Sequence, residues 1–147
     1  MPGRAAPAPT APAPPPPTSG VRGGFDGYAL VGTALALRGT PYRNGGTDPK
    51  SGFDCSGFTQ YVFAQYGIAL PRDVHDQFQK GKSIKPQDVA PGDLIFFATT
   101  EKGPSHVGIA VGSDEFVHAP SSTGVVRVER LGSSYWAPRF VGAKRVN

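Results

Sequence analysis

Along this chain the spacing of apolar residues changes character once. Up to about residue 80 they recur at helical intervals, and beyond it they gather into short segments rich in Val, Ile and Phe, separated by Gly, Pro, Ser and Asp. Helices therefore come first and an antiparallel sheet follows, which is an α+β arrangement. The first helix is expected over Phe25 to Arg38, with Asp26 as N-cap, Tyr28, Val31, Ala34 and Leu35 on its apolar face, and Gly39 as its stop. Asp54 can cap a second helix from Cys55 to about Tyr66, closed by Gly67, and a third is expected from Asp73 to Lys80, ended by Gly81. Strands are expected at Leu94–Ala98, His106–Val111, Phe116–Ala119, Val125–Arg130 and Phe140–Val146.

The start of the chain obeys neither period. Eight of the 16 prolines fall within the first 20 residues, so residues 1–22 are expected to form a disordered Pro/Ala-rich linker and residues 23–147 a single domain. No stretch approaches the roughly 18 apolar residues of a membrane span, and the N-terminus lacks the apolar core of a signal peptide. The formal charge of +4 suits an anionic partner without selecting one. Lys and Arg are scattered, which argues against a nucleic-acid groove.

One cysteine excludes an intramolecular disulfide, leaving Cys55 as a buried apolar filler, a metal ligand or a reactive thiol. Its expected place at a helix N-terminus favours the thiolate, because unpaired N–H groups and the helix dipole stabilise negative charge there. His106 and His118 lie on consecutive strand segments about the turn Gly112-Ser-Asp114. A turn centred on residue 112 puts both imidazoles on one face and pairs them directly. One ring can then take the thiol proton while the other fixes its tautomer. The alternatives are two ordinary half-buried histidines, or a zinc site of Cys55, His106 and His118, although the closely spaced ligand pairs common at such sites are missing.

Asp54-Cys-Ser-Gly-Phe58, Pro91-Gly-Asp-Leu-Ile-Phe-Phe97, His106-Val-Gly-Ile109 and Phe116-Val-His-Ala119, in that order, resemble the motif set of the NlpC-type cell-wall peptidases. Tyr42-Arg-Asn-Gly-Gly46 and Leu70-Pro-Arg72 to Gln77 also match, and the resemblance covers residues 25–147. It implies a papain-like α+β fold, with N-terminal helices packed on a five- to six-stranded antiparallel sheet, and no cofactor or metal. It further implies Cys55 as nucleophile, His106 as general base and acid, His118 as orienting residue, and Tyr42 as an oxyanion donor beside the Cys55 N–H. Asp54, Ser56 and Arg72 become substrate-contact or site-shaping positions, with Arg72 and the positive net charge available to hold substrate carboxylates. His75 departs from the pattern, standing where relatives carry a small hydroxyl residue.

The activity so implied is hydrolysis of peptidoglycan stem peptides at the bond between γ-D-glutamate and a diamino acid, by a monomer in the cell envelope or outside the cell. Its linker would tether it to a membrane or to a wall-binding domain, and its signal segment is absent from this chain. Two other readings use the same residues: an amidase or acyltransferase acting on a different amide, including a toxin-like role, and a catalytically silent wall-binding module.

Overall fold

A computed structural model describes residues 26–121 and 124–146; the Pro-rich segment 1–22 lies outside them. Asp26 accepts the Ala29 N–H at 3.1 Å and starts helix α1, Gly27–Ala36. Its buried face is Leu30, Val31, Thr33 and Ala34, whereas Tyr28, expected on that face, is 79% exposed. Leu30 and Ala34, four residues apart, share the inner stripe, and Tyr28 lies outside it. The chain leaves the helix through Gly39 at φ +92°, a backbone state that glycine adopts without steric penalty.

A two-residue ladder of β1 (Thr47–Asp48) and β2 (Gly52–Phe53) leads into helix α2, Cys55–Ala64. Asp54 caps α2 by accepting the Gly57 N–H at 2.7 Å. Phe58, Val62 and Phe63 of α2 are fully buried, each contributing roughly 1.5–3 kcal/mol of burial free energy. Helix α3 is shorter than expected, Val74–Phe78.

The main sheet has six strands, all antiparallel to their neighbours: β3 (Lys82–Ile84), β4 (Leu94–Phe97), β5 (His106–Ala110), β6 (Glu115–His118), β7 (Arg127–Arg130) and β8 (Phe140–Arg145), in the spatial order β3-β8-β4-β5-β6-β7. β4 shows how it builds two cores, since all four of its residues are buried. Leu94 and Phe96 join α1, α2, Val107, Ile109 and Val117 on one face. Ile95 and Phe97 join Ala110, Phe116, Trp136 and Ala143 on the other. This is the period-two alternation of a strand covered on both sides. Charged side chains occupy both edges, Lys82 on β3 and Arg127 and Arg130 on β7, and discourage further strand pairing.

Candidate active site

The first turn of α2 carries Cys55, half-buried against the helix-side core. Backbone N–H groups of Val107, Ser56 and Cys55 itself, close to the sulfur, favour the thiolate. Burial works the other way and is the larger influence, with the Asp54 carboxylate adding to it, so the thiol is pushed up to about 11. The helix position was correctly expected; its consequence was not, because loss of water around the sulfur outweighs the N–H groups.

The Val107 contact places the thiol beside the start of β5, where His106 sits. β5 and β6 pair Ile109 with Val117 and Ala110 with Phe116, so the turn is centred on residue 113 and the expected direct pairing of His106 with His118 is corrected by one step. His118 instead faces Gly108, and the two imidazoles are diagonal neighbours on the same face, with His106 Nε2 2.7 Å from His118 Nδ1. Gly108 is fitted to this arrangement, since a Cβ there would stand 3.0 Å from the His118 Cβ and 2.9 Å from the Phe116 ring. The two ring nitrogens are directed at each other and not at a point shared with Cys55, which disfavours the zinc alternative.

Both rings are buried on the sheet face away from the helices. Burial lowers each to about 3, with His118 as a further influence on His106 and Arg127 on His118. At neutral pH the site therefore holds a neutral thiol and two neutral imidazoles. His106 stacks on Trp136 at 5.3 Å between ring centroids. His118 meets the same indole edge-on at 5.1 Å.

Sequence reasoning missed Glu129 and Trp136. Glu129 Oε2 lies 3.0 Å from His118 Nε2, and its Oε1 accepts the Trp136 Nε1–H at 3.0 Å. Only the pairing of β6 with β7, which sets Glu129 opposite Phe116 and Arg127 opposite His118, brings that carboxylate to the histidines, and no local motif encodes it.

In front of the thiol lies a cleft of about 410 Å³, lined among others by Tyr42, Ser56, Arg72, His75 and Glu101. Burial raises the Tyr42 hydroxyl above the usual tyrosine range, with Cys55 and Asp54 adding to it and Arg72 opposing. Arg72 donates to Asp54 Oδ2 and to the Ser56 hydroxyl, both at 2.8 Å. The segment carrying it is tied down by buried Gln77, whose amide donates to the Pro71 and Ser56 carbonyls at 2.9 and 3.1 Å. Tyr42, Asp54, Ser56 and Arg72 are thus brought together, as expected.

Arg72, expected either to hold substrate carboxylates or to shape the site, is engaged within the site itself. Its guanidinium is already paired, and among the described residues that line the cleft Asp54, Asp73 and Glu101 give three carboxylates against that cation. His75 is exposed and lines the cleft as well.

The family model described as the NlpC/P60 family matches residues 39–145. The chain is 41% identical over 120 residues to a gamma-DL-glutamyl hydrolase of Bacillus subtilis, covering 80% of this chain and 29% of that protein. It is 46% identical over 116 residues to the probable peptidoglycan endopeptidase LytE of the same organism, with 79% and 33% covered. With the murein DD-endopeptidase/LD-carboxypeptidase MepS of Escherichia coli it shares 42% over 110 residues, with 74% and 57% covered. The chain therefore spans less than two thirds of each of these relatives. Among solved structures, an NlpC/P60 family protein from Bacillus cereus superposes with a TM-score of 0.76 at 33% identity, covering 82% of this chain and 40% of that one. The NlpC/p60 domain of the peptidoglycan hydrolase SagA does so at 0.73 and 36%, covering 83% and 100%.

Proposed function

The chain belongs to the NlpC/P60 family, and from that premise we propose that it is a peptidoglycan hydrolase, a cysteine endopeptidase that cleaves stem peptides between γ-D-glutamate and a diamino acid. The observation that carries this reading is the Cys55 thiol on the first turn of α2, close to the Val107 N–H at the start of the strand whose first residue, His106, contacts His118. Relatives named as peptidoglycan endopeptidases support the reaction class, and one named as a gamma-DL-glutamyl hydrolase supports the bond.

Because thiol and imidazole are both neutral at rest, proton transfer accompanies attack. His106 accepts the thiol proton as the sulfur adds to the substrate carbonyl, giving a tetrahedral oxyanion. The Cys55 N–H and the Tyr42 hydroxyl donate to that oxyanion. His106 then protonates the leaving amine, the C–N bond breaks and a thioester remains. Water deprotonated by His106 attacks the thioester, releasing a carboxylic acid and returning the thiol. An acidic cleft favours the amine-bearing parts of a stem peptide over its carboxylates, so Arg72 serves mainly to hold Asp54 and Ser56.

Incubation with a stem of L-Ala, γ-D-Glu, a diamino acid and D-Ala, in the presence of a chelator, tests this by mass spectrometry. Release of L-Ala–D-Glu, abolished by alkylating the thiol, is expected. Cleavage of another amide would overturn the bond assignment, and a stem left intact would overturn the function.

A further inference from the structure

We infer that Glu129 is a positioning residue for the reaction: its carboxylate, bridging His118 and Trp136, fixes the tautomers of both histidines and leaves His106 Nδ1 as the free base. The inference rests on the roles proposed for Cys55 and His106.

An indole N–H can only donate, so Oε1 of Glu129 is an acceptor toward Trp136 at 3.0 Å. Its Oε2, 3.0 Å from His118 Nε2, is likewise an acceptor, which places the His118 proton on Nε2. A neutral imidazole carries one proton, so His118 Nδ1 presents a lone pair. Across the 2.7 Å contact, His106 must then donate from Nε2. Nδ1 of His106 is left without a proton, and it is the ring nitrogen not engaged by His118. Run in reverse, the same logic would protonate Nδ1 and remove the base.

The charge of Glu129 has a second effect. When His106 takes the thiol proton it becomes an imidazolium, and the carboxylate beyond His118 favours that charge. The groups facing the two rings are Phe97 from β4, Phe116 from β6, Glu129 and Arg127 from β7, and Trp136. Arg127, whose Nε is 3.5 Å from Glu129 Oε2, opposes protonation of His118. Glu129 is the anion of the set.

The chemistry of an amide distinguishes this role from simple packing. Glu129→Gln keeps the shape but has one acceptor oxygen for two donors, the Trp136 N–H and the His118 N–H. If the oxygen stays with Trp136, the amide NH₂ faces His118 Nε2 and drives both rings into the wrong tautomer. Trp136→Phe removes the competing donor, so adding it to Glu129→Gln frees the oxygen for His118.

The test measures iodoacetamide alkylation of Cys55 between pH 5 and 9, ¹⁵N resonances of the histidine rings, and thermal melting, for wild type, E129Q, W136F and the double variant. Alkylation needs no peptidoglycan substrate, so a failed stem-peptide assay leaves this test intact. The wild type is expected to carry ring protons on both Nε2 atoms. It should show no alkylation step near pH 6.5, because His106 keeps its base form until the pH falls toward about 3. E129Q should react about 10- to 100-fold more slowly, the scale found when the hydrogen-bond partner that orients a metal-ligating imidazole is lost. Its melting should stay within about 5 °C of wild type, a shift on the order of 1 kcal/mol. The double variant should regain rate over E129Q. Wild-type protons on Nδ1, an unchanged rate in E129Q, or no recovery in the double variant would each overturn the inference. Should E129Q fail to fold, the wild-type ring spectra decide alone.

Discussion

Cys55→Ala is expected to reduce stem-peptide turnover by about 10⁴- to 10⁶-fold, the scale set by removing the nucleophile from a catalytic triad. The alternatives to covalent catalysis at this site are poor. His106 and His118 are turned toward each other, and Asp54 is engaged by the Gly57 and Gly45 N–H groups and by Arg72. Asp54 is thereby held as a cap and ion-pair partner, and the free nitrogen of His106 serves as a base. Losing one sulfur at a half-buried position should cost stability only about 1 kcal/mol, so the variant is expected to melt near the wild type. Turnover of the stem peptide and a melting curve on the same preparation separate loss of chemistry from loss of fold, and a variant retaining more than about a hundredth of the activity would contradict the assignment.

The second large effect concerns a residue with no side chain. Gly57 follows the nucleophile by two positions, and a Cβ there would lie 1.9 Å from the Gly46 carbonyl oxygen and 2.9 Å from Asp54 Oδ1. Neither neighbour yields cheaply. The Gly46 carbonyl accepts the Asp54 N–H at 3.1 Å, and Asp54 Oδ1 accepts the Gly57 N–H. A methyl at 57 therefore forces the 43–46 loop away from the first turn of α2 or moves that turn itself. Gly57→Ala is expected to destabilise the fold by about 3 kcal/mol, the upper end for overpacking, because backbone atoms must shift. That corresponds to a fall in melting temperature on the order of 10 °C. Activity should drop by at least about 100-fold even where the protein remains folded, since a displacement near 1 Å of a reacting group is worth that much. Thermal melting and turnover of the variant check both halves; a melting temperature within a few degrees of wild type would show that the loop gives way without cost.

Glycine at 57 also illustrates how unevenly this fold could be read from the chain. α2 and its cap were legible because Asp54 directly precedes an apolar run at helical spacing, which are local signals. The hairpin holding the histidines was legible as a hairpin with both rings on one face, yet its register was misjudged by one step: Gly112, Ser113 and Asp114 all suit a turn, and only the pairing of Ile109 with Val117 selects residue 113 as its centre. β3 escaped notice because Lys82-Ser-Ile84 is too short to alternate; it is a strand because β8 offers it an edge. Tyr28 was misassigned to the buried face, since the helical period fixes which residues share a stripe and tertiary packing fixes which stripe points inward.

The chemistry divides in the same way. Cys55, Tyr42, Asp54, Ser56 and Arg72 stand in short motifs and line one cleft, and His106 and His118, also in short motifs, meet each other on the sheet. Glu129 stands in Arg127-Val-Glu-Arg130, which reads as an edge strand with charged ends, and gains its place only through β6. The protonation state of the thiol was out of reach because it depends on how much water the folded site excludes, which residue identity does not disclose.

The central claim is that Cys55 forms a covalent acyl intermediate, and intact-protein mass spectrometry of a reaction quenched in acid within the first turnovers tests it most directly. The account predicts an adduct equal in mass to the L-Ala–D-Glu acyl group, mapping to the peptide that contains Cys55 and absent from Cys55→Ala. Turnover of the stem peptide that proceeds with no adduct on the wild type and persists in Cys55→Ala would contradict it.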